Sequence, residues 1–205
     1  GEGGWRCEAT VRRGGPTVPV APQLPARHNA ENALAAVAAA MELGVSLADA
    51  ARALAGFQGL RRRLERVGSA GRVTVFDDFA HNPDKIAATL RTLHAFPGRL
   101  LIFFQPHGYG PLRVMKDALV ATLAREMAPD DVLIMPDPVY YGGTTSREVG
   151  SADIVAGVRE AARAAEHIAE RAGCGERLIE LGRPAHRILV MGARDDTLTQ
   201  FAEEL

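Results

Sequence analysis

The chain is poor in cysteine, in net charge and in long apolar runs, and each shortage removes a class of protein. Two cysteines in 205 residues, Cys7 and Cys174, form no CxxC pair and no disulfide framework. Lys+Arg 24 against Asp+Glu 25 leaves a net charge of −1. That balance removes a whole-chain electrostatic case for nucleic acid or an anionic membrane as partner. No apolar run approaches the roughly 20 residues a membrane helix needs. The stretch around Ala33 to Leu43 is alanine-rich and too weakly hydrophobic to span. No GxxxxGK[ST] phosphate loop occurs, and Gly192-Ala193-Arg194 is not a GxGxxG fingerprint. No signal peptide is recognisable, so a cytoplasmic location is expected. The chain opens on Gly1 rather than methionine, which suggests a piece of something longer.

What is present reads as globular. Hydrophobic residues are 47% and charged residues 24%, ordinary for a packed domain. The length suits one large domain, or one domain with a fragment of another. Trp5 to Val11 alternates like a strand, Arg13-Gly14-Gly15-Pro16 reads as a turn, and Thr17 to Val20 as a returning edge strand. Asn29 to Asn32 leads into a helix through Met41, ended by Gly44. Ser46, with Asp49 three residues on, opens a second helix through Ala55.

From about Gly71 the rhythm becomes strand, helix, strand, helix. Strands are expected at Val73–Phe76, Leu100–Phe104, Val132–Met135 and Arg187–Met191. Helices are expected over 83–95, 112–127, 151–172 and 197–205. This alternation predicts an α/β fold, a Rossmann-like and mainly parallel sheet with helices on both faces. Ligands of such sheets sit at the carboxyl ends of the strands.

Those strand ends collect the polar residues. Asp77-Asp78-Phe79-Ala80-His81-Asn82 follows the first strand, Gln105-Pro106-His107-Gly108 the second, and Gly192-Ala193-Arg194-Asp195 the fourth. A carboxylate at a strand end can take ribose hydroxyls; equally, Asp78 and Asn82 can cap the helix at Pro83. DDxxH lacks the ligand count of a closed zinc site, so no metal site is expected. His81 and His107 are each a candidate ligand contact or a plain loop histidine. Arg61-Arg62-Arg63 can grip phosphate through guanidinium forks or serve as a solvated connector. Asn29 and Asn32 share a helix face if both are helical, where a carboxamide can read adenine; simple capping by Asn29 is the alternative.

Taken in order, these clusters resemble the Mur ligases. The resemblance rests on His28-Asn29-Ala30-Glu31-Asn32-Ala33-Leu34-Ala35-Ala36, on Phe57-Gln58-Gly59 followed by Arg62-Arg63-Leu64-Glu65, on Asp77-Asp78-Phe79-Ala80-His81-Asn82-Pro83, and on Phe104-Gln105-Pro106-His107. The double Asp and the FQPH motif are similar to the branch that joins L-alanine to UDP-N-acetylmuramate. The DDFAH spelling and Arg-Leu-Glu are also similar to its relative, the murein tripeptide ligase of recycling.

The resemblance implies that residues 1–65 are the tail of a central P-loop ATPase domain and 66–205 a C-terminal domain. It implies an ATP- and Mg2+-dependent ligase of peptidoglycan precursor synthesis that activates a carboxylate as an acyl phosphate for attack by an amine. The phosphate loop and magnesium ligands would then lie upstream, this chain would carry no catalytic residue of its own, and alone it would be inactive. Asn29, Asn32, Arg63 and Asp78 are implied nucleotide contacts. His81, Asn82 and His107 are implied contacts of the amine donor. Where the alanine ligases usually continue FQPH as R-Y-T-R, this chain has Gly108-Tyr109-Gly110-Pro111, and Arg113 is the nearest arginine to take over. The rival reading is a non-catalytic nucleotide-binding or interaction module on the same fold.

Overall fold

Alternation of apolar residues over short runs is what a two-sided sheet requires, and the computed structural model shows where each run goes. It describes residues 7–10, 17–20, 27–57, 59–140, 142, 144 and 146–205, with side chains from Asn29 onward. The chain forms two compact units that divide between Leu60 and Arg61.

In the first unit, β1 (Cys7–Thr10) and β2 (Thr17–Val20) pair antiparallel, Cys7 opposite Val20. The expected turn at 13–16 lies outside the described residues. Helix α1 (Arg27–Glu42) ends with Gly44 at φ +90°. The Val45 N–H returns to the Ala40 carbonyl and that of Gly44 to Met41, a closed helix end that favours glycine. Ser46 caps α2 (Leu47–Ala55), accepting the Asp49 N–H at 3.1 Å. Ala33, Val37, Leu47, Ala50 and Ala51 bury together between the helices. Asn29 and Asn32 both lie within α1, so Asn29 is not its N-cap.

Among the described residues the second unit holds β3 (Glu65–Ala70), β4 (Val73–Asp78), β5 (Leu100–Gln105), β6 (Val132–Met135), β7 (Ala164–His167) and β8 (Arg187–Gly192). Their order is β3-β4-β8-β5-β6-β7; β3 runs antiparallel to β4 and the rest are parallel. Leu100, Ile102 and Phe104 point to one face, under α3 (Pro83–His94), α4 (Tyr109–Glu126) and α5 (Ser151–Glu160). Leu101 and Phe103 point to the other, under α6 (Arg171–Leu181) and α7 (Thr197–Glu204). Each fully buried Leu or Phe stabilises the unit by about 1.5–3 kcal/mol.

Three expectations need correction. The helix expected over 151–172 is two helices with strand β7 between them. Ala162 turns left-handed at φ +57°, and the Arg163 N–H returns to the Val158 carbonyl at 3.2 Å. Alanine-rich Ala161–Ala165 has helical propensity, but pairing of Ala164–His167 with Val132–Met135 overrides it. Strand β3, unassigned from sequence, pairs through a two-residue turn in which Gly71 and Arg72 both have positive φ, the turn that matches strand twist. Of the two capping residues considered for α3, Asn82 caps it, accepting the Lys85 N–H at 3.0 Å, and Asp78 does not.

Candidate functional site at the carboxyl edge

Five parallel strands bring their carboxyl ends to one rim, and the residues of the second unit singled out from sequence are gathered there. Side chains alternate along β4, so the two aspartates part company. Asp77 points to the α7 face and is fully buried. Asp78 points to the α3 face, where it accepts the Thr89 hydroxyl on Oδ2 and the Leu64 N–H on Oδ1 at 3.1 Å. Asp78 therefore ties the Arg61–Leu64 segment to β4 and α3, and only its remaining lone pairs can meet a ligand.

Arg62 is the buried partner of Asp77. Its Nε lies 3.3 Å from Asp77 Oδ2, an ion-pair distance without hydrogen-bond alignment. Thr199 donates to the same oxygen at 3.0 Å, and Asp77 Oδ1 has no hydrogen-bond partner. Burial raises the Asp77 carboxyl above its usual range, and the Arg62 charge works against that rise. The other arm of Arg62 donates to the carbonyls of Gly192 at 2.8 Å and Asp195 at 3.1 Å, at the end of β8. The backbone of Arg62 also accepts the Phe79 N–H at 2.8 Å. A run of three arginines thus divides by role. Arg62 is structural and nearly buried, while Arg63 is exposed, with its guanidinium 5.8 Å from the Phe79 ring centroid.

The two histidines meet. His81 Nδ1 lies 2.8 Å from the Phe79 carbonyl, and its ring stands edge-on to that of His107 with centroids 5.3 Å apart. Both are half-buried. Burial lowers the pKa of His107 below its ordinary value, and the nearby His81 and Arg194 charges add to the effect. Arg113 is exposed in the second turn of α4. Asn82 spends its carboxamide oxygen on the α3 cap. Asn29 and Asn32 belong to the first unit.

The structure adds residues that sequence reasoning passed over. Arg171 opens α6 and reaches Gln105 Oε1 from Nε at 3.3 Å and Nη2 at 3.2 Å, the Thr197 hydroxyl at 2.7 Å, and the Asp195 carboxylate. Gln105 in turn donates to the Asp137 carbonyl at 2.9 Å. One guanidinium and one carboxamide so join the connections after β5, β6 and β8. No local signal marks Arg171, because the sequence pattern puts it in the last turn of a single helix over 151–172, which the structure divides into α5, β7 and α6. Among the described residues no group of three His, Cys, Asp or Glu is placed to hold a metal ion. No helix among them is long and apolar enough to cross a membrane.

Comparison with known proteins agrees with this geometry. Residues 62–194 match the family model described as "Mur ligase, glutamate ligase domain". The chain is 35% identical over 171 residues to the UDP-N-acetylmuramate--L-alanine ligase of Nocardioides sp., covering 82% of this chain and 37% of that protein. It is 38% identical over 177 residues to the enzyme of the same name from Acidothermus cellulolyticus, covering 85% and 36%. The chain thus spans under two fifths of the length of these relatives. The crystal structure of UDP-N-acetylmuramate-alanine ligase MurC from Thermotoga maritima superposes with a TM-score of 0.69 at 23% identity, over 91% of this chain and 39% of that one, a likeness of fold.

Proposed function

This chain belongs to the Mur ligase family, and from that premise we propose that it is the C-terminal portion of an ATP- and Mg2+-dependent amide ligase acting on UDP-N-acetylmuramate in the cytoplasm. The observation that carries the reading is the convergence at one rim of an exposed Arg63, a tethered Asp78 and the His81–His107 pair. In this reading residues 1–65 are the end of the ATP-binding domain and 66–205 the C-terminal domain of the ligase.

Arg63 is the group free to approach the phosphates. Guanidinium suits that role because its planar fork matches phosphate oxygens and keeps its charge at any working pH. Asp78, already held on two sides, offers its remaining acceptor capacity to ribose hydroxyls without needing to reorder. Asn29 and Asn32, three apart in α1, offer carboxamides to the adenine. His81, Asn82 and His107 lie on the amine-donor side. A His107 kept neutral by burial is suited to face an ammonium group, since two cations would repel. ATP supplies the phosphoryl group that activates the substrate carboxylate. The acceptor of that acyl group is an amino acid such as L-alanine, or the tripeptide of murein recycling.

The test is substrate-dependent phosphate release by the complete protein with a panel of amine donors. Release that depends on UDP-N-acetylmuramate and on one donor supports the ligase. A reading frame without an upstream phosphate loop, or ATP bound with no donor-dependent release, favours the non-catalytic module instead.

A further inference from the structure

The rim carries another cation, and neither nucleotide contacts nor internal ion pairs account for it. Arg147, in the connection between β6 and α5, is exposed; its guanidinium carbon lies 3.7 Å from the Tyr140 ring centroid and 5.7 Å from that of Tyr109. The two rings are 6.4 Å apart, inclined at 71°. Tyr109 stands two residues after His107. The connection is fastened to that loop by the Val139 N–H, which donates to the Pro106 carbonyl at 3.2 Å. The cations nearby are otherwise engaged: Arg62 with Asp77, Arg171 with Asp195, and Arg194 has a partner as well. Arg63 stands at the β4 end of the rim. Among the described residues no carboxylate pairs with Arg147.

Stacking on Tyr140 occupies a face of the guanidinium and leaves its N–H donors, which lie in the plane, to point outward. Such an edge receives a carboxylate or a phosphate through two parallel hydrogen bonds. Position separates the two anions. The ends of β4 and β6 are three strand spacings apart in the order β4-β8-β5-β6, about 14 Å. Asp78 and Arg63 mark the nucleotide end, and the His107 loop lies between that end and Arg147. An amino acid or peptide donor brings both an ammonium and a carboxylate, and the carboxylate must be neutralised as it leaves water.

We infer that Arg147, braced by Tyr140 and Tyr109, receives the carboxylate of the amine donor and makes that carboxylate a requirement for turnover. This rests on the ligase reading above. The experiment compares the complete protein with its Arg147→Ala, Arg147→Lys and Arg113→Ala variants, using the donor that supports phosphate release and the same donor with its carboxylate amidated. Wild type is expected to favour the free acid by about 10- to 100-fold in kcat/KM, the worth of a paired charged contact. Arg147→Ala should raise the donor KM by the same factor, leave the ATP KM within about threefold, and no longer distinguish acid from amide. Arg147→Lys should restore only part, because an ammonium cannot reproduce the planar fork. Thermal unfolding of Arg147→Ala should match wild type.

An Arg147→Ala enzyme that still prefers the acid overturns the inference, as does loss of that preference in Arg113→Ala instead. Equal rises in donor and ATP KM would assign Arg147 to phosphate and overturn it too. A protein that turns over no donor at all overturns the ligase reading and this inference together.

Discussion

Removing Arg62 should expose how much the second unit depends on one buried ion pair. The Arg62 side chain is 10% exposed and that of Asp77 0%, so neither charge has water to fall back on. In Arg62→Met the alkyl volume is largely kept, while Asp77 becomes an unpaired buried carboxylate. The carbonyls of Gly192 and Asp195 lose their donor at the same time. Breaking a buried pair from one side costs about 3–5 kcal/mol, a large part of the roughly 5–15 kcal/mol that a domain possesses. The companion Asp77→Asn removes the charge and keeps an acceptor for Thr199. Because the penalty of Arg62→Met is mainly the abandoned charge, the double variant should recover at least about 2 kcal/mol relative to the sum of the singles.

The pH dependence has a definite sign. Burial already holds the Asp77 pKa above its ordinary 3.8, with Arg62 opposing. The folded state therefore holds this proton more tightly than the unfolded one, and stability drains as pH rises from about 3.8 through the raised value. Without Arg62 the value rises further, so the deficit of Arg62→Met against wild type should shrink between pH 7 and pH 5. Urea unfolding followed by circular dichroism at both pH values measures every quantity needed. Single-variant penalties that simply add, or a deficit that is the same at both pH values, would refute the reasoning.

The remaining predictions are simpler to measure. Asp78→Ala strands the buried Leu64 N–H and the Thr89 hydroxyl and should cost about 2–4 kcal/mol, whereas Asp78→Asn keeps its carboxamide oxygen as acceptor for the Leu64 N–H and turns its NH2 to donate to the Thr89 hydroxyl oxygen, and should cost about 1 kcal/mol; equal losses in urea unfolding would mean these bonds contribute little. His107, with its pKa held below the ordinary 6.5 by burial, resists protonation in the folded state, so stability should fall as pH drops through about 6.5. His107→Gln should flatten that slope, and parallel curves would remove the effect from this residue. Gly98 sits at φ +111° where a Cβ would lie 2.2 Å from the Ala185 carbonyl oxygen. Gly98→Ala should cost at least about 2 kcal/mol, and a thermal midpoint unchanged from wild type would contradict the packing there. Asn82→Ala should cost about 1 kcal/mol through loss of the α3 cap, with Asn82→Asp close to neutral by the same unfolding assay.

Much of the fold was readable because local chemistry and tertiary placement agree. The short apolar runs Leu100–Phe104 and Val132–Met135, bounded by turn residues, suit buried strands and form them, and Asn82-Pro83, a side-chain acceptor followed by a preset φ, opens α3. Where local and tertiary demands conflict, local reading failed. Ala164–His167 became a strand because β6 presents an open edge, and the pairing outweighs alanine's helical preference over four residues. Strand β3 was hidden by its exposed pattern and by the irregularity between Arg66 and Gly68, since only one of its faces meets the core.

The candidate site divides along the same line. Residue order and spacing marked Asp77-Asp78, His81, His107 and the arginine run as candidate groups, and the likeness of those short, contiguous motifs to Mur ligases pointed to the family. Which aspartate is sealed and which is tethered, which arginine is structural and which is free, and that Arg171 and Arg147 join the rim at all, were decided only when the strands came together. Neighbouring residues on a strand face opposite sides of the sheet, and residues far apart in the chain become neighbours at its edge. Burial, which sets the charge state and the availability of each group, exists only once that packing has formed.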